Sequence, residues 1–433
     1  MDLPTEIWEE IILQCSPSDW IQVVRVSSKF RDISTPLIYE YIKIEDNLVK
    51  ITKCFKSLVK NPIAADSVKI LWLEWSSPSQ TSSCPLQAFF QLHLDALSAL
   101  HNLQILGYLP PPPYSQAADA ILTRCTFPHL LEVTLCPSSI HANMSFIRRH
   151  SQTLWSISVM PWNIIEKGED SITLDAEFPA LEVISLPTKT TIPFLRTTSI
   201  PLLAGISLVD VEMSTIDEIT SAIRESCERS GMKDLVFEMM LRTPILRPRI
   251  FQMISSQLSN LVALSIECTS VLLHGRNRAI DVEGFARGLS MLSRIEQFSW
   301  FQRSRRKYPP YDDEVHRDVI RMASRCPSLR LCMIPYGQQW KRIVDDIWVP
   351  KDSTLEAAQW LFDRLRSPNG YPELILHMET YSGSNPEVNK AISVFSAEEG
   401  DHRAVPILRV GKELGFWNLT AFESEIVADG SVY

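Results

Sequence analysis

Leu130-Leu131-Glu132-Val133-Thr134-Leu135, Leu154-Trp155-Ser156-Ile157-Ser158-Val159 and Leu181-Glu182-Val183-Ile184-Ser185-Leu186 are three copies of one phrase: apolar, two variable, apolar, one variable, apolar. Its last two apolar residues are two apart, so in a strand they share a face and point inward. Earlier copies stand at Val68/Leu71/Leu73 and Leu100/Leu103/Ile105. Later ones are Leu203/Ile206/Leu208, Met232/Leu235/Phe237, Leu261/Leu264/Ile266, Ile295/Phe298/Trp300 and Leu329/Cys332/Ile334, with steps of 22 to 34 residues. Segments of helical spacing lie between them, among them 87–101, 214–230, 249–258, 281–292 and 312–326. Ser214 with Asp217 has the form of a capping box.

A helix between successive strands forces parallel pairing through right-handed crossovers. One such unit cannot bury its apolar side alone, so units must stack. The expected fold is α/β: a curved solenoid over residues 67–350 with parallel strands inside and helices outside. The pattern resembles the leucine-rich repeat family in its Leu-x-x-Leu-x-Leu core. It departs three residues after the final apolar position, where that family places Asn or Cys. Here Ser76, Ser138, Trp162, Lys189, Val211, Met240, Thr269, Arg303 and Gly337 stand instead, which predicts irregular loops and uneven curvature. A nucleotide-binding α/β fold would need glycine-rich phosphate loops. The chain has 14 glycines, no Gly-x-Gly-x-x-Gly and no Gly-Lys-Ser/Thr.

The N-terminus reads as three short helices. Pro4 and Pro17 suit first helical positions, where a missing N–H costs nothing. Ser16 precedes Pro17 as an N-cap and Asp19 completes a near capping box. Ile7, Ile11 and Cys15 recur at i, i+4, i+8, and Trp20, Val23, Val24 and Ser27 at i, i+3, i+4, i+7. Leu3, Pro4, Glu6, Ile7, Ile11, Ile12, Asp19, Val26, Ser27, Phe30 and Arg31 resemble the F-box pattern position by position. Cys15 and Trp20 stand where leucine is usual, and Ser34–Ile44 is similar to the fungal branch. This assigns 1–45 to an F-box, 46–66 to a helical linker, 67–350 to the repeats and 351–433 to a C-terminal cap, with a small separate domain as the alternative for the last.

Composition excludes several classes. Net charge of −9 argues against nucleic acid or an anionic membrane as main partner. No apolar run is long enough to span a bilayer, and Met1-Asp2 opens directly into the motif, so the expected location is cytoplasmic or nuclear. The 9 cysteines are scattered without a Cys-x-x-Cys, which reads as reduced structural thiols and no zinc site. There is no His-Glu-x-x-His and no Gly-x-Ser-x-Gly. His93 and His101 are eight apart on one expected helix, too far to share a metal. The pairs Asp312-Asp313, Asp345-Asp346 and Glu398-Glu399 read as loop or helix-start charge. No catalytic residue, metal or cofactor is assigned.

Two surfaces read as binding candidates. The residues between the inward pairs, Thr134, Ser158, Ser185, Ser207, Val236, Ser265 and Ser299, form a mostly small polar column flanked by Glu132, Asp234, Glu238 and Glu267. The second is Arg303-Ser304-Arg305-Arg306-Lys307 with Tyr308 to Tyr311, which reads as a clamp for an acidic or phosphorylated segment, a weak nuclear signal or a solvated loop. The Pro110–Pro113 run reads as a stiff loop.

The F-box resemblance implies a substrate-recognition subunit of an SCF-type (Skp–cullin–F-box) ubiquitin ligase, which supplies proximity and is not itself an enzyme. By that resemblance Leu3, Pro4, Ile7, Ile11, Ile12, Trp20, Val23 and Val26 dock a Skp-type adaptor and through it cullin. An unknown protein substrate would meet Val236, Glu238, Ser265, Glu267, Ser299, Arg303, Arg305, Arg306 and Lys307. The alternatives are a non-degradative repeat scaffold and, third, an enzyme with an unrecognised C-terminal site.

Overall fold

The computed structural model describes residues 4–45, 47–74, 86–136, 140–160, 176–209, 211–231, 237–243, 248–268, 282–302, 313–334, 338–344, 347–351 and 360. The chain divides into two compact units: Met1–Asp210 with Glu218–Leu235, and Val211–Asp217 with Val236–Tyr433.

The first unit opens with α1 (Thr5–Leu13), α2 (Pro17–Val23) and α3 (Ser28–Glu40). The Ser16 N–H and hydroxyl both donate to Asp19 Oδ2, at 3.2 and 2.7 Å, so the expected cap forms. Ser27 Oγ accepts from the Phe30 N–H and starts α3. Pro36 sits inside α3, where Thr35 donates its hydroxyl to Arg31 O. The stretch read as a linker forms α4 (Leu48–Lys60) and α5 (Pro62–Ser67). Asn47 and Asn61 cap these two helices, each side chain accepting a backbone N–H three residues on.

Strands β1 (Tyr41–Glu45), β2 (Ile70–Glu74), β3 (Ile105–Leu109), β4 (Glu132–Leu135) and β5 (Ser156–Val159) then alternate with α6 (Leu86–Ser98), α7 (Pro112–Leu122) and α8 (Ile140–Arg149). After β6 (Ala176–Glu177) come β7 (Val183–Pro187), α9 (Thr188–Thr197), β8 (Thr198–Ser199) and β9 (Gly205–Val209); α10 (Ile216–Arg229) follows. The sheet order is β1-β2-β3-β4-β5-β7-β9, all parallel, and β6 pairs with β8 separately. Successive helices pack on one another, α4 on α6, α6 on α7 and α7 on α8.

Strands β3, β4, β5, β7 and β9 are entered in the same way. Lys69 O accepts the N–H groups of Gln104 and Ile105, Gln104 O those of Leu131 and Glu132, and Leu131 O those of Trp155 and Ser156. Trp155 O accepts from Glu182 and Val183, and Glu182 O from Ala204 and Gly205. In each unit the carbonyl just before a strand holds the first residues of the next one. The device recurs although the spacing between copies varies, because it needs only backbone.

In the second unit β10 (Phe237–Thr243), α11 (Arg249–Gln257), β11 (Leu261–Cys268), α12 (Val282–Leu289), β12 (Gln297–Gln302), α13 (Asp313–Arg325) and β13 (Leu331–Met333) continue the alternation with parallel pairing. Parallel order then ends. β14 (Gln339–Val344) and β15 (Ile347–Pro350) pair antiparallel. Only residues 334–338 separate β13 from β14, too few for a crossover helix, which takes a dozen or more. The expectation of parallel strands up to residue 350 is corrected there.

The expected inward residues are buried in eight of the copies, for example Leu71 and Leu73, Ile184 and Leu186, and Phe298 and Trp300. Two copies shift. In β3 the inward pair is Leu106 and Tyr108, in register with Leu71 and Leu73, so Ile105 is only half-buried. In β10 the inward residues are Met239 and Leu241. Two local expectations also change: Pro112 starts α7 instead of a loop, and a 3₁₀ turn at Met213–Thr215 replaces the Ser214 cap of α10. Of the C-terminal region, Lys351 and Trp360 are described, and the rest of the expected cap lies outside the described residues. Trp360 is buried against His316 and Trp340 and donates Nε1–H to Asp313 at 3.1 Å.

Candidate functional site

The N-terminal helices hold one another through few contacts. Trp20 Nε1–H donates to Ile12 O at 2.7 Å, tying α2 to the end of α1, and Trp8 meets Phe30 edge-on at 4.9 Å. Only Ile12 of α1 is buried. Ile7 and Ile11, one turn apart, remain 45% and 44% exposed, and Leu13, Ile21 and Val26 are exposed as well. Scattered apolar side chains are ordinary on a surface. Five large aliphatic ones between residues 7 and 26 are not, because so short a helical array leaves a sizeable part of its apolar face in water.

The expected docking residues differ in exposure. Pro4, Ile7, Ile11 and Val26 are exposed and free to meet a partner. Trp20 and Val23 are half-buried between helices. Ile12 is buried, with 2% of its surface exposed. Leu3 lies outside the described residues. Sequence spacing missed Leu13 and Ile21, since their exposure follows from how α1 and α2 turn against α3.

The polar column of the sheet is real in register. Thr134 pairs with Ser158, Ser158 with Ser185 and Ser185 with Ser207. It extends in the other direction through Gly107 and Trp72 to Lys43, which the spacing did not reveal. Trp72 lies over Gly107, so the floor beside it is filled. In the second unit Ser265 pairs with Ser299, and the residue paired with Ser265 on β10 is Met240. Val236 and Asp234 lie outside the described residues, as do Arg303, Arg305, Arg306 and Lys307. Glu238 is exposed beside Ala263. Glu267 is not a free anion: Arg242 Nε donates to its Oε2 at 2.7 Å, and its side chain is only 15% exposed. Of the acidic strand face expected there, Glu267 is thus paired and Glu238 is exposed.

Titratable groups inside the units are desolvated. His93 sits among Phe55, Phe89 and Phe90 beside Tyr108, and burial lowers its pKa to about 3. His150 donates Nδ1–H to Phe146 O and accepts the Phe127 N–H at Nε2, which fixes a neutral tautomer; burial lowers its pKa too. Burial raises the thiols of Cys54, to about 11, and of Cys125, Cys227, Cys326 and Cys332. Such thiols stay protonated at neutral pH and are poor nucleophiles. His101, exposed, pairs with Asp66 at 3.2 Å. Among the described residues no group of His, Cys, Asp and Glu has the arrangement of a metal site, and no helix is long and apolar enough to cross a membrane.

No curated protein matches the chain. Residues 1–39 match the F-box domain family, and F-box domains bind Skp-type adaptors and thereby cullin. That match covers the three N-terminal helices with their exposed aliphatic face.

Proposed function

We propose that this protein is a substrate-recognition subunit of an SCF-type ubiquitin ligase. The observation that carries the reading is the exposed pair Ile7 and Ile11 on a helix whose inward residue, Ile12, is already buried. The F-box docks a Skp-type adaptor through that pair with Val26 and Ile21, and cullin follows through the adaptor. The sheets, read as degenerate leucine-rich-repeat-like stacks, hold a protein substrate near the ubiquitin-charged conjugating enzyme. Proximity is what such a subunit contributes, so it needs no nucleophile of its own. The working compartment of this reading is the cytosol or nucleus. The strand-entry device, repeated in both units with Glu296 O accepting from Arg330 and Leu331 in the second, supports a repeat origin of the stacks.

The test is affinity capture of the full chain followed by mass spectrometry. Adaptor together with cullin supports the ligase reading. Adaptor without cullin favours a non-degradative scaffold. Capture of neither by the wild-type chain overturns the docking assignment.

A further inference from the structure

The residues immediately before the strands of the first unit form a second ladder, at the rim and not on the face of the sheet. Glu40, Lys69, Gln104, Leu131, Trp155 and Glu182 each precede one strand, and consecutive members are joined by the backbone bonds of the strand entries. Neighbouring strands are about 4.8 Å apart, so the rungs rise by that step. At the α3 end Glu40 and Lys69 satisfy one another at 2.8 Å, beside a groove of about 460 Å³ lined by Leu37, Asp66, Asn102 and His129 among others. In the middle, Leu131 and Trp155 stand on successive rungs with 39% and 38% of their surface exposed. On the next rung Glu182 is exposed and has no ion-pair partner among the described residues.

We infer that this rim binds an extended protein segment carrying an apolar residue two to four positions from an arginine or lysine. An exposed tryptophan is the residue type most often found at an interface centre, and the leucine beside it widens the apolar surface. A cation passing over the Trp155 ring reaches the unpaired carboxylate of Glu182 on the following rung, so ring and charge select the same side chain. Two rungs span about 10 Å, the length of three extended residues, which sets the spacing between the apolar anchor and the cation. The net charge of −9 favours the approach of a basic segment and disfavours an acidic one. The inference deepens the substrate-recognition reading and rests on it only for what happens after binding.

A random-peptide phage library is selected on the full chain, and the best peptide is titrated against the wild type and the variants Trp155→Ser and Glu182→Lys. Enriched peptides should carry Arg or Lys two to four residues from Leu, Ile or Phe. Either variant should weaken binding by about tenfold or more while keeping the wild-type circular dichroism melt. Trp155→Tyr should retain most of the affinity, which a fold defect would not. Enrichment without a cation, enrichment of acidic peptides, or equal affinity in both variants overturns the inference. Adaptor capture measured on the same samples keeps the two readings apart: peptide binding without adaptor capture sinks only the ligase reading, and the reverse sinks only the rim.

Discussion

The ring of Trp72 lies against Gly107 of the neighbouring strand: a Cβ built on Gly107 would overlap the Trp72 ring. The two are register partners in β2 and β3. Glycine is required here by close approach of a side chain, not by a left-handed backbone.

Gly107→Ala should therefore destabilise the first unit by about 1–3 kcal/mol, the usual range for overpacking. Adding Trp72→Leu removes the obstructing ring, so the double variant should recover part of the loss. Urea denaturation of the three proteins measures it. A Gly107→Ala midpoint equal to the wild type would refute the packing argument.

Ile11 and Ile12 are adjacent in sequence and opposite in exposure. Ile12→Ala should cost about 2–4 kcal/mol, since it empties a buried site. Ile7→Asp with Ile11→Asp should keep the melting profile, because both residues are already solvated, yet abolish adaptor capture, where two carboxylates would be buried without partners. Retained capture by the double aspartate variant would show that docking uses another face.

His93 should make stability pH-dependent. Its folded pKa, near 3, is below the ordinary 6.5, so the unfolded chain binds the extra proton first. The folded form is at full advantage above pH 6.5, and that advantage drains as pH falls towards 3, by up to about 1.4 kcal/mol per unit. His150 is shifted the same way and adds to the slope. Replacing His93 by Phe should flatten the decline between those limits, and parallel slopes in the two proteins would contradict it.

Arg149 closes the end of α7 by donating to Cys125 O and Thr123 O at 2.5 and 2.6 Å. Charged donors to carbonyls at and just beyond a helix end are worth more than neutral ones. Arg149→Met should lower stability by about 1–2 kcal/mol, and Arg149→Lys should restore part of it. Thermal melts at matched salt would detect the difference, and an unshifted Met variant would mean that water serves those carbonyls equally well.

The sequence by itself determined the alternation of strands and helices. Apolar residues two apart, with a helix between copies, favour parallel pairing, and the helices expected at 249–258 and 312–326 form within a residue of those bounds as α11 and α13, while that expected at 281–292 forms as the shorter α12. It also determined the Ser16–Asp19 cap and the F-box pattern, since both depend on residues close along the chain. Only the tertiary structure decided register and exposure. The shift to Leu106 and Tyr108 in β3 keeps the inward pair level with Leu71 and Leu73, a choice made by the neighbouring strand. Likewise Ile12 is buried and Ile11 is not because α3 covers one side of α1, and Glu267 loses its free charge because Arg242 arrives from the adjacent strand. Periodicity specifies which residues share a face; what meets that face depends on a packing partner distant in the chain.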